Sequence, residues 1–79
     1  MDDVASLLVK CFQGVFPGLD SSTILGLSQA TYTPWDSLAS VALVRVIEEQ
    51  FGIQLDLFDL EQLDSFVAME AYIRSSKIA

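Results

Sequence analysis

The sequence contains no histidine, one cysteine and only four cations among 79 residues. Without histidine there is no imidazole to serve as a general base, no Ser-His-Asp arrangement and no histidine-bearing zinc site. The single thiol, Cys11, excludes an internal disulfide and a CxxC centre. Lys10, Arg45, Arg74 and Lys77 stand against eleven acids, for a formal charge of −7. A surface that negative repels phosphate backbones, which argues against nucleic-acid binding, and it attracts basic partners. Long apolar runs are missing as well. Val41-Ala42-Leu43-Val44 is the most apolar stretch, and Arg45 interrupts it before it reaches membrane-spanning length. Met1-Asp2-Asp3 is acidic where a secretion signal would be basic, so the expectation is a cytoplasmic protein.

The residues that are present suit a small folded domain. Apolar residues make up 52% of the chain and charged ones 19%, the reverse of a disordered acidic tail. A chain of this length buries about 60% of its unfolded surface, so its core must be dense. Residues 1–79 are expected to form one domain with a net stability of about 4–12 kcal/mol.

The periodicity is helical almost throughout. Val4, Leu7, Leu8, Cys11, Phe12 and Val15 recur at spacings of three and four, predicting a first helix over 3–15. Asp2 and Asp3 suit its start, and Gly14 and Pro17-Gly18 its end. Residues 16–36 form a long connection in which Asp20-Ser21-Ser22 can cap one turn ahead of Ile24, Leu25 and Leu27. Pro34 keeps Thr33 out of the helical region, Asp36 offers a capping carboxylate, and Gly52 suits a left-handed stop. The predicted helix over 37–51 gathers Leu43, Val44, Ile47 and Phe51 on a core side. Its opposite side carries Leu38, Ala42, Arg45 and Glu49, with Val41 and Glu48 at the edge. Ile53 to Leu57 alternates like a strand but has no partner strand, so an extended segment and a short helix near 58–62 are expected. Asp64 or Ser65 caps a last helix, with Phe66, Met69, Tyr72 and Ile73 inward and Glu70 paired to Arg74. The expected architecture is all-α, a monomeric four-helix bundle with three longer helices and one short one.

Asp36-Ser37-Leu38, opening a helix after a long loop, is the candidate site. A serine there is exposed, and a phosphate on its hydroxyl would lie by the partly positive helix end. No base accompanies it. Ser37 is therefore read as a hydroxyl modified by another enzyme, and the chain as no enzyme itself. Asp-Ser also occurs at 20–21 and 64–65, where helix capping is the expected role.

Asp36-Ser37-Leu38 together with Val41, Leu43-Val44, Ile47-Glu48-Glu49, Phe51 and Tyr72-Ile73 closely resembles the acyl carrier protein family. The register holds through to Ile73 without a gap, and the N-terminal part matches in length and pattern. The resemblance implies 4′-phosphopantetheine, taken from coenzyme A by a phosphopantetheinyl transferase and held on Ser37 through a phosphodiester. Asp36 and Leu38 would then be recognition residues, and acyl groups would ride on the arm as thioesters between loading and processing enzymes. The resemblance places Val41, Ala42, Arg45, Glu48 and Glu49 on the face that partners meet. Fatty-acid carriers of the housekeeping type usually have acids where this chain has Ala39 and Ala42, and an apolar residue at Arg45. A specialised lipid or polyketide pathway is the expectation. Two alternatives remain: an aminoacyl, peptidyl or D-alanyl carrier on the same arm, and an unmodified carrier-like interaction domain. Peptidyl carriers usually have glycine where this chain has Asp36.

The other candidates have plainer roles. Cys11 lies on an apolar stripe and is expected to be a buried thiol. Asp56, Asp59, Glu61 and Asp64 lack the spacing of a calcium loop, and no metal site is expected. Phe12, Phe16, Phe51, Phe58, Phe66 and Tyr72 are expected in the core, whereas Tyr32 and Trp35 either cover it or border the attachment point.

Overall fold

A computed structural model describes residues 3–55 and 62–78. Among the described residues there are four α-helices: α1 (Asp3–Val15), α2 (Ser21–Leu25), α3 (Ser37–Phe51) and α4 (Phe66–Ile78). Three are long and one is short, in an all-α bundle. The short helix is the capped turn at Ser21–Leu25; the one expected near 58–62 falls almost wholly outside the described residues, as do Phe58, Asp56, Asp59 and Glu61. Among the described residues no helix is long and apolar enough to cross a membrane.

α1 is the central element, packing against α2, α3 and α4. That position turns it relative to the expected stripe. Ala5, Leu8, Val9, Cys11 and Phe12 are buried, while Val4, Leu7 and Val15 are only half-buried. A helix touched on several sides needs a wide apolar arc, so Ala5 and Val9 are drawn into it. Leu43, Val44 and Ile47 of α3 and Phe66, Met69 and Ile73 of α4 complete the core with Ile24 and Leu27. Phe51 and Tyr72, expected inside, pack half-buried at the edge.

A run of aromatic contacts fixes the helices to the loop ahead of α3. The Phe12 ring meets Phe66 of α4 edge-on at 5.3 Å and Trp35 at 5.3 Å. Phe16 lies 6.0 Å from Trp35 and 5.2 Å from Tyr32, the latter also edge-on. Such pairs add about 0.5–1.5 kcal/mol each beyond area burial. Trp35 is 1% exposed, so it is a core residue that happens to adjoin the candidate site. Tyr32 is half-buried beside Phe16.

The long connection is held by backbone pairing. Ser28 and Ser65 form an isolated antiparallel bridge, with Gln29 N–H donating to the Asp64 carbonyl at 2.8 Å and Phe66 N–H to the Leu27 carbonyl at 3.0 Å. The loop before α3 is thereby tied to the start of α4. Ser65, rather than Asp64, caps that helix: its Oγ accepts the Ala68 N–H at 3.1 Å. The Glu70–Arg74 ion pair forms at 2.8 Å as the i, i+4 spacing predicts.

Candidate functional site

The chain enters α3 through a series of tight turns. Trp35 N–H donates to the Tyr32 carbonyl at 3.0 Å and Asp36 N–H to the Pro34 carbonyl at 3.1 Å. Asp36 then takes an extended conformation (φ −102°, ψ −171°) and its carboxylate accepts the Ala39 N–H at 2.9 Å. Its carbonyl accepts the Ser40 N–H at 2.9 Å. Asp36 is thus the N-cap, which relieves Ser37 of capping. Ser37 is the first helical residue, exposed, and among the described residues its hydroxyl has no hydrogen-bond partner. Steric access is open and no internal bond must be broken to use that oxygen.

Below this turn lies its anchor. The Trp35 indole N–H donates to Ser40 Oγ at 2.9 Å, satisfying a polar group in a residue otherwise fully packed. Sequence reasoning missed this contact, since nothing in a five-residue separation between a tryptophan and a serine marks them as partners. At the far end of α3, Gly52 is left-handed (φ 66°) and donates its N–H to the Glu48 carbonyl at 2.9 Å. The Glu48 carboxylate curls over the same end and accepts the Leu55 N–H at 2.8 Å. Glu48, placed at the edge of the partner face by the wheel, is therefore half-buried and occupied in holding the chain beyond α3.

The remaining residues of that face are brought together as expected. Leu38 is 81% and Val41 42% exposed, among the largest exposed apolar side chains described, and Ala42, Arg45 and Glu49 are exposed beside them. Ala39 is half-buried against the core. A half-open cavity of about 230 Å³ between α1 and α3 is lined by Leu7, Lys10, Cys11, Val46 and Gln50. Val46 and Gln50 lie more than two turns along α3 from Ser37, so this cavity is not part of the turn that presents the serine. Cys11 is 2% exposed, and burial pushes its thiol up to about 11, an unreactive state at neutral pH.

Residues 35–73 match the family model described as a phosphopantetheine attachment site. The match begins at Trp35, spans the whole of α3 and ends within α4. Residues 35–73 are thus a phosphopantetheine attachment domain of the kind that acyl carrier proteins have, and the prosthetic group such a site takes is 4′-phosphopantetheine. The matched segment is a carrier domain, not a catalytic one. No curated protein and no solved structure matches the chain significantly. The residues at the start of α3 suit this group. An unbonded, exposed hydroxyl is available for a phosphodiester, and the first backbone N–H groups of a 15-residue helix favour its negative charge.

Proposed function

We propose that Ser37 carries the 4′-phosphopantetheine arm and that the chain holds acyl groups on it as thioesters, presenting them in turn to enzymes of a specialised, cytoplasmic biosynthetic pathway. The observation that supports this assignment is the free Ser37 hydroxyl in a turn whose capping is done by Asp36. In the transfer step Ser37 Oγ bonds to the phosphorus bearing the pantetheine of coenzyme A. The bond to the adenosine-phosphate half breaks, and the serine proton leaves to a base of the transferase. The chain itself supplies the hydroxyl, its orientation and the surface on which the transferase sits; it performs no chemistry. Once attached, the arm raises the effective concentration of its cargo at any docked enzyme.

Asp36 and Leu38 flank the serine as recognition residues, and Val41, Ala42, Arg45, Glu48 and Glu49 form the partner face, Glu48 with its carboxylate shared with Leu55. Residues 1–79 act as one monomeric carrier domain. An acyl cargo is favoured over an aminoacyl one by Asp36, which stands where peptidyl carriers usually have glycine. Intact-mass measurement after incubation with coenzyme A, magnesium and a broad-specificity phosphopantetheinyl transferase tests the assignment. The expected result is one added arm on the wild type and none on Ser37→Ala. An arm on the Ser37→Ala chain would sink it, and no arm on the wild type would leave an unmodified interaction domain. Loading assays with acyl and aminoacyl donors then distinguish the two cargo classes.

A further inference from the structure

We infer that the enzymes serving Ser37 dock through an apolar surface bearing a carboxylate, not through the basic surface that the chain's net charge of −7 would attract. The inference rests on the carrier reading above and concerns the chemistry of the partner.

An enzyme that acts on Ser37 must cover the surface beside it. Along α3 that surface is Leu38, Val41 and Ala42, all exposed and all uncharged. The first charge met beyond Ser37 on this side is Arg45, one turn past Val41 and Ala42, and it is the only cation of α3. Arg45 is exposed and makes no ion pair among the described residues, although Glu49 stands one turn further on at the i, i+4 position. Glu48, the other nearby acid, has turned its carboxylate to the Leu55 N–H and is half-buried. The described acids around this face are therefore engaged, Asp36 with the Ala39 N–H and Glu48 with the Leu55 N–H, or lie beyond Arg45 as Glu49 does. The one cation of α3, beside the apolar patch, makes no ion pair among the described residues. Whole-molecule charge acts at long range but is screened beyond about 8 Å at physiological salt, so the docked contact is governed by Arg45 and the apolar residues around it. A guanidinium fits a carboxylate through two parallel hydrogen bonds, a geometry a basic partner cannot supply.

Two amphipathic helical peptides of about 20 residues, identical except for Glu or Lys at one position bordering the apolar stripe, provide the probe. Amide shifts of the isotope-labelled full chain are followed as each is added at physiological salt. The expected result is that the Glu peptide shifts the amides of Leu38 to Arg45 and binds about fivefold more tightly than the Lys peptide, the scale of one exposed ion pair. Arg45→Glu should reverse the order while leaving the circular dichroism spectrum unchanged. Tighter binding of the Lys peptide, equal binding, shifts confined to other faces, or no shift at millimolar peptide would each overturn the inference. These outcomes are separable from the carrier reading. A chain that accepts the arm at Ser37 but prefers the Lys peptide remains a carrier with a different partner, whereas one that prefers the Glu peptide but is never modified loses the carrier role and keeps the docking surface.

Discussion

Asp20-Ser21 and Asp36-Ser37 begin two helices in the same way but leave their serines in different surroundings. Both aspartates are extended N-caps, and each carboxylate accepts the N–H three residues on, at 2.8 Å from Thr23 and 2.9 Å from Ala39. Both serines are the first residue of their helix, so Ser21 does not take the capping role expected of it. The difference lies in the length of each helix and in the packing beneath its first turn. α2 is five residues long and Ser21 is half-buried, with Ser22 hydrogen-bonded back to Asp20 at 3.1 Å. α3 is fifteen residues long, Ser37 is exposed, and the turn stands on a buried tryptophan bonded to Ser40. A capping dipeptide is a local device that satisfies backbone N–H groups wherever it occurs. Whether the adjoining hydroxyl is presented to a partner depends on the packing around it.

The strongest test of this contrast is all-or-none. In the Ser37→Ala chain, Ser21 is left as the serine after a capping aspartate, and mass spectrometry should find it unmodified; Ser21→Ala should accept a full arm. Next in size is the anchor. Trp35→Ala removes the ring between Phe12 and Phe16 and should cost about 3–5 kcal/mol in urea unfolding. On a net stability of about 4–12 kcal/mol that brings the fold close to collapse. Trp35→Phe keeps most of the ring packing but deletes the donor to Ser40, and should cost less than the alanine change. In a double-mutant cycle Trp35→Phe and Ser40→Ala should couple by about 1 kcal/mol, and additive effects would show the hydrogen bond to be unimportant.

Removing the caps should separate the two helices by range. Asp36→Ala should lower global stability by about 1 kcal/mol, because a fifteen-residue core helix depends on that cap. Asp20→Ala should act mainly on α2, speeding amide exchange at Thr23 with a smaller change in the unfolding midpoint. The smallest effect expected is a pH dependence. Hydrogen bonds from Thr23, then from Ser22, hold the Asp20 carboxyl below its ordinary value of 3.8. A lowered folded value means that this contribution is present above the unfolded pKa and is lost as pH falls through the folded one. The Thr23 amide shift should track that loss in acid, and a Thr23 shift indifferent to pH below about 4 would show that the cap is not formed in solution.

Much of the fold was legible because helix periodicity and stop signals are local. The bounds of α1 and α3, the capping by Asp36, the left-handed Gly52 and the Glu70–Arg74 pair all arise from residues within one turn of each other. Contacts between distant segments were not legible. The Ser28–Ser65 bridge joins two loops, Trp35 finds Ser40 only once the loop before α3 has folded beneath the helix, and Glu48 meets Leu55 only after Gly52 turns the chain back.

By itself the sequence determined an acidic, mostly helical chain with Asp36-Ser37-Leu38 at a helix start and no histidine, because composition and the 3.6-residue period act without reference to distant residues. Tertiary structure decided which Asp-Ser pair is left open, that α1 would be the centre of the bundle, that Trp35 belongs to the core, and that Glu48 is drawn away from the face where Arg45 stands without an ion pair among the described residues. Each of those outcomes depends on burial and on satisfying polar groups among segments far apart in the chain, and both are settled only when the helices pack.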